Sequence, residues 1–490
     1  MTVSSRFVLR DPLPGVERVV IFGLGWTGVA AAMLLHRFGK VVSATDTRDA
    51  EALGRSLEAL KATSGVELPP GVTIHHGAHH HHDAEAVILT QSVKHHDAAV
   101  LAARAAGVAV VPEVALATSA LEGSGIALVA IAGTDGKTTT TKLVGHVVAA
   151  QRRSVIGGNS WTPLSTVVAD FADALAADPP PEGETPVVVA EVSAFQLPPW
   201  HHFHPTAAVV TNLAEDHVDE YFQGSMAAYV EAKRAVTSEL TPGQYAVLNV
   251  DDGVVRGWEA ELVGRGVGVV RTSLTSRAVY GHPDAVFRSN GELRVRWQGR
   301  ERGLMAQSAL PLVGDHNVEN VLSAVGLVLP LGLDLDGVAS SIGSFVAPKH
   351  RLQFVREVGG VAVYDDSKAT NVHASLAGLA AFGGRPMVLL VGGVDKGLEI
   401  AGWVEAMRSR ARTVVAIGQL RGRLTAEFAE RLPQLVCCEG FEEAVETALG
   451  AAQPGDVVVL SPACSSFDMF SSYAQRGERF QELVNRWEPK

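Results

Sequence analysis

Short β-branched apolar runs alternate along the chain with longer segments whose apolar residues recur at helical spacing, and glycine-rich turns separate them. Such alternation marks βαβ units and a parallel sheet, because two parallel strands need a crossover that is usually a helix. The first run, residues 18–22, passes through a glycine turn into an Ala/Leu-rich helix to about residue 38, then a second strand over 41–44. The pattern persists to about Ser119, where Leu121-Glu122-Gly123-Ser124-Gly125 reads as a linker. A strand over 126–132 opens a second series that runs to about Val346 and includes short alternating strands between residues 278 and 304. After Pro348 the series begins again, with strands predicted over 361–364, 387–391, 413–417 and 456–460. The expectation is an α/β chain of three domains (1–120, 121–346 and 347–490), each an open, largely parallel sheet with helices. The first and third read as Rossmann-like and the second as P-loop ATPase-like.

Composition narrows the picture. With 490 residues, 47% hydrophobic and 19% charged, the chain is globular and long enough for about three domains. Its 41 basic against 53 acidic side chains give a net charge of −12, which argues against general nucleic-acid binding and leaves room for a local basic pocket. The three cysteines, Cys437, Cys438 and Cys464, suit a reducing compartment and are expected as buried free thiols. The first fifteen residues lack a signal-peptide core and no uncharged apolar run spans a bilayer, so a cytoplasmic protein without membrane insertion is expected. His75, His76 and His79 to His82 form a histidine-rich stretch without a metal-ligand scaffold, read as a solvated loop.

Two turns carry phosphate chemistry. Gly23-x-Gly25-x-Thr27-Gly28 lies between strand and helix, with Asp46 at the end of the next strand, the layout that brings a pyrophosphate to a helix N-terminus. Alone it would suggest a dinucleotide-dependent oxidoreductase. Gly133-Thr134-Asp135-Gly136-Lys137-Thr138-Thr139 follows the strand over 126–132 and precedes a helix; its glycine-rich backbone, its Lys for the phosphates and its hydroxyl for Mg²⁺ suit a triphosphate. A triphosphate site beside a second nucleotide site speaks for ATP cleavage coupled to work on a nucleotide-carried molecule. Glu191, at the end of the strand over 187–190, is placed to bind Mg²⁺, and His217 follows another β run with acidic neighbours. Gly314-Asp315-His316-Asn317, His350-Arg351, Asp365-Asp366-Ser367-Lys368-Ala369-Thr370 and Ser461 to Asp468 all fall at strand ends or helix starts, where open sheets bind ligands.

Together these motifs resemble the Mur ligase family of peptidoglycan synthesis over essentially the whole chain, and within it the branch that adds D-glutamate. The resemblance implies ATP-dependent amide-bond formation between UDP-N-acetylmuramoyl-L-alanine and D-glutamate through an acyl phosphate, by a monomer. It implies that Gly23, Gly25, Thr27, Gly28, Asp46, Thr47, Arg48, Asn159, Ser193 and His217 meet the UDP substrate. It assigns ATP to Gly133 through Thr139 (Gly133, Thr134, Asp135, Gly136, Lys137, Thr138, Thr139) with Asn317, Arg351 and Asp366. Mg²⁺, as two ions, would be held by Thr138, Glu191, His217 and Lys233, the last matching a lysine that the family carries as a carbamate. D-Glutamate would meet Lys368, Thr370, Ser466, Phe467 and Tyr473, and catalysis would fall to Lys137, Glu191, His217, Lys233 and Lys368. The chain departs from the family in three places: Leu89 to Lys94 replaces a Ser-Pro-Gly turn, Asp135 stands where Asn is frequent, and Asn159 is followed by Ser160-Trp161 rather than Ile-Gly.

Overall fold

A computed structural model describes residues 7–198, 203–214, 221–346, 349–395, 397 and 399–488. Among these residues three sheets form. The first contains β1 (Arg18–Phe22), β2 (Val41–Asp46), β3 (Thr73–His76), β4 (Ala86–Leu89) and β5 (Ala109–Pro112), all parallel, in the order β3-β2-β1-β4-β5. The winding direction reverses between β1 and β4, so a crevice is left beyond their carboxyl ends.

The second sheet contains β6 (Ala127–Ala132), β7 (Ser154–Gly158), β8 (Val187–Glu191), β9 (Ala207–Val210), β10 (Tyr245–Asn249), β11 (Gly268–Ser273), β12 (Ala285–Ser289), β13 (Glu292–Trp297) and β14 (Arg300–Ala306). Its order is β14-β13-β12-β11-β10-β9-β6-β8-β7, parallel except for the β12-β13-β14 meander. Strands β6, β8 and β9 are buried along their whole length, which is why they read as unbroken apolar runs rather than alternating ones.

The third sheet contains β15 (Gln353–Val358), β16 (Val361–Asp365), β17 (Met387–Gly392), β18 (Ala411–Ile417), β19 (Leu435–Cys437) and β20 (Val457–Leu460) in the order β15-β16-β20-β17-β18-β19. It begins one strand earlier than the sequence pattern suggests. β15 is an edge strand joined antiparallel to β16 through Gly359-Gly360, both at positive φ (59° and 76°); Val355 and Val358 pack only partly buried against the core, so no fully buried run marks it.

The chain falls into two compact units, Met1–Ala309 with Glu319–Gly343, and Leu310–Val318 with Ser344–Lys490. In the first unit one apolar core continues from the first sheet into the second. Helix Trp26–Arg37 packs on helix Leu164–Ala177, and Arg37 forms a bidentate ion pair with Asp173. In the second unit the sheet is covered on one side by Trp403, Met407 and Leu424 and on the other by Phe441, Val445 and Phe480. Cys438 and Cys464 are buried free thiols as expected, whereas Cys437 is exposed. No described helix is long and apolar enough to cross a membrane.

Candidate functional site

The first glycine turn leaves β1 with Gly23 at φ +87°, where an added Cβ would lie 2.5 Å from Thr90 Oγ1. At Gly28 a Cβ would sit 2.1 Å from the Gly23 carbonyl oxygen, so only glycine lets helix and turn approach this closely. The space around Gly25 is open, leaving its backbone accessible to a ligand. Asp46 is buried at the end of β2 and accepts hydrogen bonds from Leu24 N–H (2.8 Å) and from Arg48 Nε and Nη2 (2.8 and 2.7 Å). Burial opposes its charge, but the Arg48 guanidinium and the backbone N–H groups of Leu24 and Arg48 outweigh it and hold the carboxyl well below the usual carboxylate range. Asp46 and Arg48 thus form one charged pair bracing the turn, beside the exposed Thr47. The histidine stretch is only partly a solvated loop: His79 stacks on Phe22 (5.1 Å) and hydrogen bonds Thr45 Oγ1 (3.0 Å). Among the described residues no group of His, Cys, Asp and Glu is arranged to hold a metal.

The second turn caps helix Lys137–Ala149. Gly133 (φ +136°) and Gly136 (φ +81°) cannot carry side chains: a Cβ would lie 1.9 Å from Thr211 Oγ1 at the first and 2.0 Å from Asn320 Oδ1 at the second. Thr211 Oγ1 donates to the Asp135 carbonyl (2.6 Å) and Asn212 Oδ1 accepts from Asp135 N–H (3.0 Å), so Asp135 is gripped by its backbone. Thr134 Oγ1 meets the Tyr229 hydroxyl at 2.8 Å and accepts the N–H of Ala214 at 3.0 Å. Lys137 Nζ donates to the carbonyls of Gly133 and Thr134 (2.9 and 2.7 Å), folded over its own loop. Thr138 is half-buried in the first helical turn and Thr139 is buried. Lys233 is buried on helix Met226–Ser238, lies 4.9 Å from the Tyr229 ring centroid and donates to the Gly133 carbonyl. It is therefore part of the loop's support and not the solvent-facing helix lysine that spacing alone would suggest.

Glu191 ends β8, in register with Ile131 of β6, so it leaves the sheet beside the phosphate turn. It is 1% exposed, and its carboxylate accepts from Asn159 Nδ2 (3.1 Å), Ser160 Oγ (2.9 Å) and Trp161 Nε1 (3.1 Å). Gly158, at φ +103°, lets that loop close over the Glu191 backbone. Next to this cluster lies a cavity of about 410 Å³ lined by Trp26, Thr27, Gln91, Glu113, Asn159, Trp161 and Gln196, between the first glycine turn and the loop whose side chains hold Glu191. Gln91 is the residue of the 89–94 segment that faces this cavity, while Thr90 Oγ1 turns inward to the Phe22 carbonyl (2.8 Å). Ser193 is buried and both its N–H and Oγ bond Gln196 Oε1. Glu113, fully buried, accepts Ser165 N–H at 2.6 Å; burial pushes its carboxyl up to about 7 against that hydrogen bond. His217 lies outside the described residues.

In the second unit the ends of β16 and β20 meet helix Tyr473–Arg486. Lys368 Nζ sits 3.8 Å from the Tyr473 ring centroid. Thr370 N–H bonds the Lys368 carbonyl (2.8 Å); Ser466 is buried in the turn after β20, and Phe467 is 74% exposed. Arg476, 1% exposed, donates to Ser367 Oγ and O (both 2.9 Å) and to the Cys464 carbonyl (3.0 Å), joining the Lys368 loop to the Ser466 turn. Asp366 accepts from Ser461 Oγ (2.9 Å) and Leu352 N–H (3.2 Å); burial raises its carboxyl to about 7. Its bonds are internal, which suits a residue that orders the loop. Asn317 Nδ2 donates to the Val313 carbonyl (2.8 Å), and Arg351 is half-buried.

Three open sheets, two phosphate-type glycine turns and a buried carboxylate beside the second turn define a nucleotide-binding α/β protein with more than one ligand site. Residues 131–328 match the family described as Mur ligase middle domain, and residues 350–464 match Mur ligase, glutamate ligase domain. The chain is 36% identical over 471 residues to the UDP-N-acetylmuramoylalanine–D-glutamate ligase of Geobacter metallireducens, covering 96% of this chain and 97% of that protein. It is 35% identical to the enzyme of that name from Solibacter usitatus, covering 98% and 99%. Its fold is similar to the MurF ligase of Thermotoga maritima solved in complex with ADP (TM-score 0.54, 16% identity, 98% of both chains). It is likewise similar to a UDP-N-acetylmuramate-alanine ligase of Thermotoga maritima (TM-score 0.52, 19% identity, 96% and 99%). The chain belongs to the Mur ligase family.

Proposed function

We infer that this protein joins UDP-N-acetylmuramoyl-L-alanine to D-glutamate with cleavage of ATP, in the cytoplasm and as a monomer, with residues 1–120, 121–346 and 347–490 serving UDP substrate, ATP and amino acid. The observation that carries the reading is the cavity between the Gly23–Gly28 turn and the Asn159–Trp161 loop, whose side chains hold Glu191, with Glu191 in register beside the Gly133–Thr139 turn. A nucleotide-linked substrate held there brings its carboxylate toward the phosphate turn.

In the proposed reaction the substrate carboxylate oxygen attacks the γ-phosphorus of ATP, ADP departs, and an acyl phosphate forms. The D-glutamate amine then adds to the acyl carbon, and inorganic phosphate leaves as the nitrogen loses a proton. Lys137 would release its loop carbonyls to meet the β- and γ-phosphates, and the turn's N–H groups at a helix N-terminus would hold the remaining charge. Mg²⁺, when bound, would neutralise charge on the transferring phosphoryl group. Thr138 and Glu191 fit it, because Mg²⁺ commonly takes one or two protein oxygens and completes its shell with phosphates and water.

His217 is proposed as ligand to a second ion and as a substrate contact. Lys233, buried against the phosphate turn, is proposed as the carbamate-bearing lysine; ¹³C-bicarbonate labelling followed by a carbamate resonance that Lys233→Arg abolishes would test this. Asn159, Ser193, Thr27, Thr47, Asp46 and Arg48 are proposed for the UDP substrate, and Asn317, Arg351 and Asp366 for ATP. Lys368, Thr370, Ser466, Phe467 and Tyr473 are proposed for D-glutamate, whose two carboxylates call for a cation and several donors.

The test is phosphate release from MgATP with UDP-N-acetylmuramoyl-L-alanine, comparing D-glutamate with L-glutamate, L-alanine and a diamino acid. Release that requires the nucleotide substrate and D-glutamate is expected. Release with another amino acid would move the protein to a different branch of the family, and none with any of them would overturn the reading.

A further inference from the structure

Of the donors that converge on Glu191, Asn159 belongs to the substrate assignment, whereas Ser160 and Trp161 stand where the family usually has Ile-Gly. A carboxylate offers about four lone-pair positions. Asn159 Nδ2 and Ser160 Oγ take two on Oε1 (3.1 and 2.9 Å), and Trp161 Nε1 takes one on Oε2 (3.1 Å). One lone pair on Oε2 remains. The terminal torsion of a glutamate is broad and nearly two-fold, so without a partner Oε2 would sample many directions even in a buried side chain. The residue is itself anchored: the Trp161 backbone N–H bonds the Gly158 carbonyl (3.0 Å), Lys142 Nζ lies 5.6 Å from the ring centroid, and Trp161 lines the cavity with Trp26 and Thr27.

We propose that Trp161 is a positioning residue: its indole N–H orients Oε2 of Glu191 so that the remaining lone pair is presented to Mg²⁺, while its ring lines the substrate cavity. The proposal rests on the reading of Glu191 as a Mg²⁺ ligand in the ligase reaction. Hydrogen bonds to a metal-binding side chain typically change metal affinity or activity about 10- to 100-fold when removed.

Trp161→Phe deletes the donor and keeps a smaller aromatic ring in the cavity wall. At saturating ATP and both other substrates, its Mg²⁺ half-saturation concentration should rise by at least about tenfold. At saturating Mg²⁺ kcat should recover toward the wild-type value, whereas any change in the KM for UDP-N-acetylmuramoyl-L-alanine reports the altered cavity wall and not the lost donor. A structural role would instead lower kcat at every Mg²⁺ concentration. Independently of turnover, the intact enzyme titrated with Mg²⁺ and ATP should show a tryptophan emission change that is lost in Trp161→Phe. Wild-type protein that makes product while the variant keeps the same Mg²⁺ dependence and the same emission change would overturn the proposal. Wild-type protein that releases no phosphate would sink the ligase reading instead, and the emission titration would still decide for or against Trp161.

Discussion

Glu113 offers a direct measure of what the packing between the first two sheets costs. Its carboxyl is fully buried, lifted from 4.5 to about 7 by desolvation, and its Oε1 accepts Ser165 N–H at 2.6 Å. The lift corresponds to about 3 kcal/mol against the ionised form. Two helix N-termini work in the opposite direction. Glu113 is the first residue of helix Glu113–Leu121, and Ser165 sits in the first turn of helix Leu164–Ala177. Each would return up to about 1 kcal/mol, leaving a net cost of about 1–3 kcal/mol. Because the folded value lies above the unfolded one, the stability associated with the neutral acid is complete below about 4.5 and is lost as pH rises to about 7. Glu113→Gln keeps the acceptor for Ser165 and removes the titration. The variant should therefore match or trail the wild type at pH 5 and exceed it at pH 8, by a Tm difference of roughly 2 °C per kcal/mol. Thermal unfolding of both proteins at the two pH values checks this. A variant less stable than wild type at pH 8, or a gain of equal size at pH 5, would refute the reasoning and show that the helix ends hold an ionised carboxylate.

Three other outcomes follow from named contacts. Gly136→Ala should abolish nucleotide binding by calorimetry and cost roughly 1–3 kcal/mol, since its Cβ would lie 2.0 Å from Asn320 Oδ1 at φ +81°. Asp46→Asn should cost about 1–3 kcal/mol at pH 7 by losing charge-assisted bonds to Arg48. Asp46 is held below its ordinary range, so its contribution is present above about 4 and declines in more acid solution; the gap between variant and wild type in denaturant midpoint should narrow there. Arg476→Met should raise the KM for D-glutamate more than that for ATP, because the lost bonds tie the Lys368 loop to the Ser466 turn; steady-state kinetics with each substrate varied would show it.

What the sequence disclosed and what it withheld differ in physical kind. Both phosphate turns were legible because their chemistry is local: glycines forced by close approach, a following helix and a lysine within a few residues. Strands β6, β8 and β9 were legible because burial on both faces leaves an unbroken apolar run. β15 was not, having only half-buried and exposed positions, although Gly359-Gly360 was a hairpin mark that could have revealed it. Trp161, Gln91 and Tyr229 escaped notice for another reason. Trp161 and Tyr229 reach their partners, and Gln91 its cavity, across a long stretch of chain, and by type each passes for ordinary packing or surface. Asn320 follows Gly314-Asp315-His316-Asn317 by one helical turn, but its approach to Gly136 depends on how helix Asp315–Val328 crosses the turn. Asp366 was assigned to ATP by the resemblance, and its bonds to Ser461 and Leu352 were not legible because they join segments far apart in the chain.

The guanidinium of Arg476 gathers Ser367 and Cys464, which lie 109 and 12 residues earlier in the chain. All six strands of the third sheet precede it. Helix Tyr473–Arg486 also lays Phe480 and Val484 on one face of that sheet, so the last helix closes the core and ties the loops at its carboxyl edge together. The pocket proposed for the amino acid takes shape only once helix Tyr473–Arg486 has emerged. A prematurely terminated chain would thus lack both the cover of one sheet face and a competent acceptor site, so core and site are completed by the same segment.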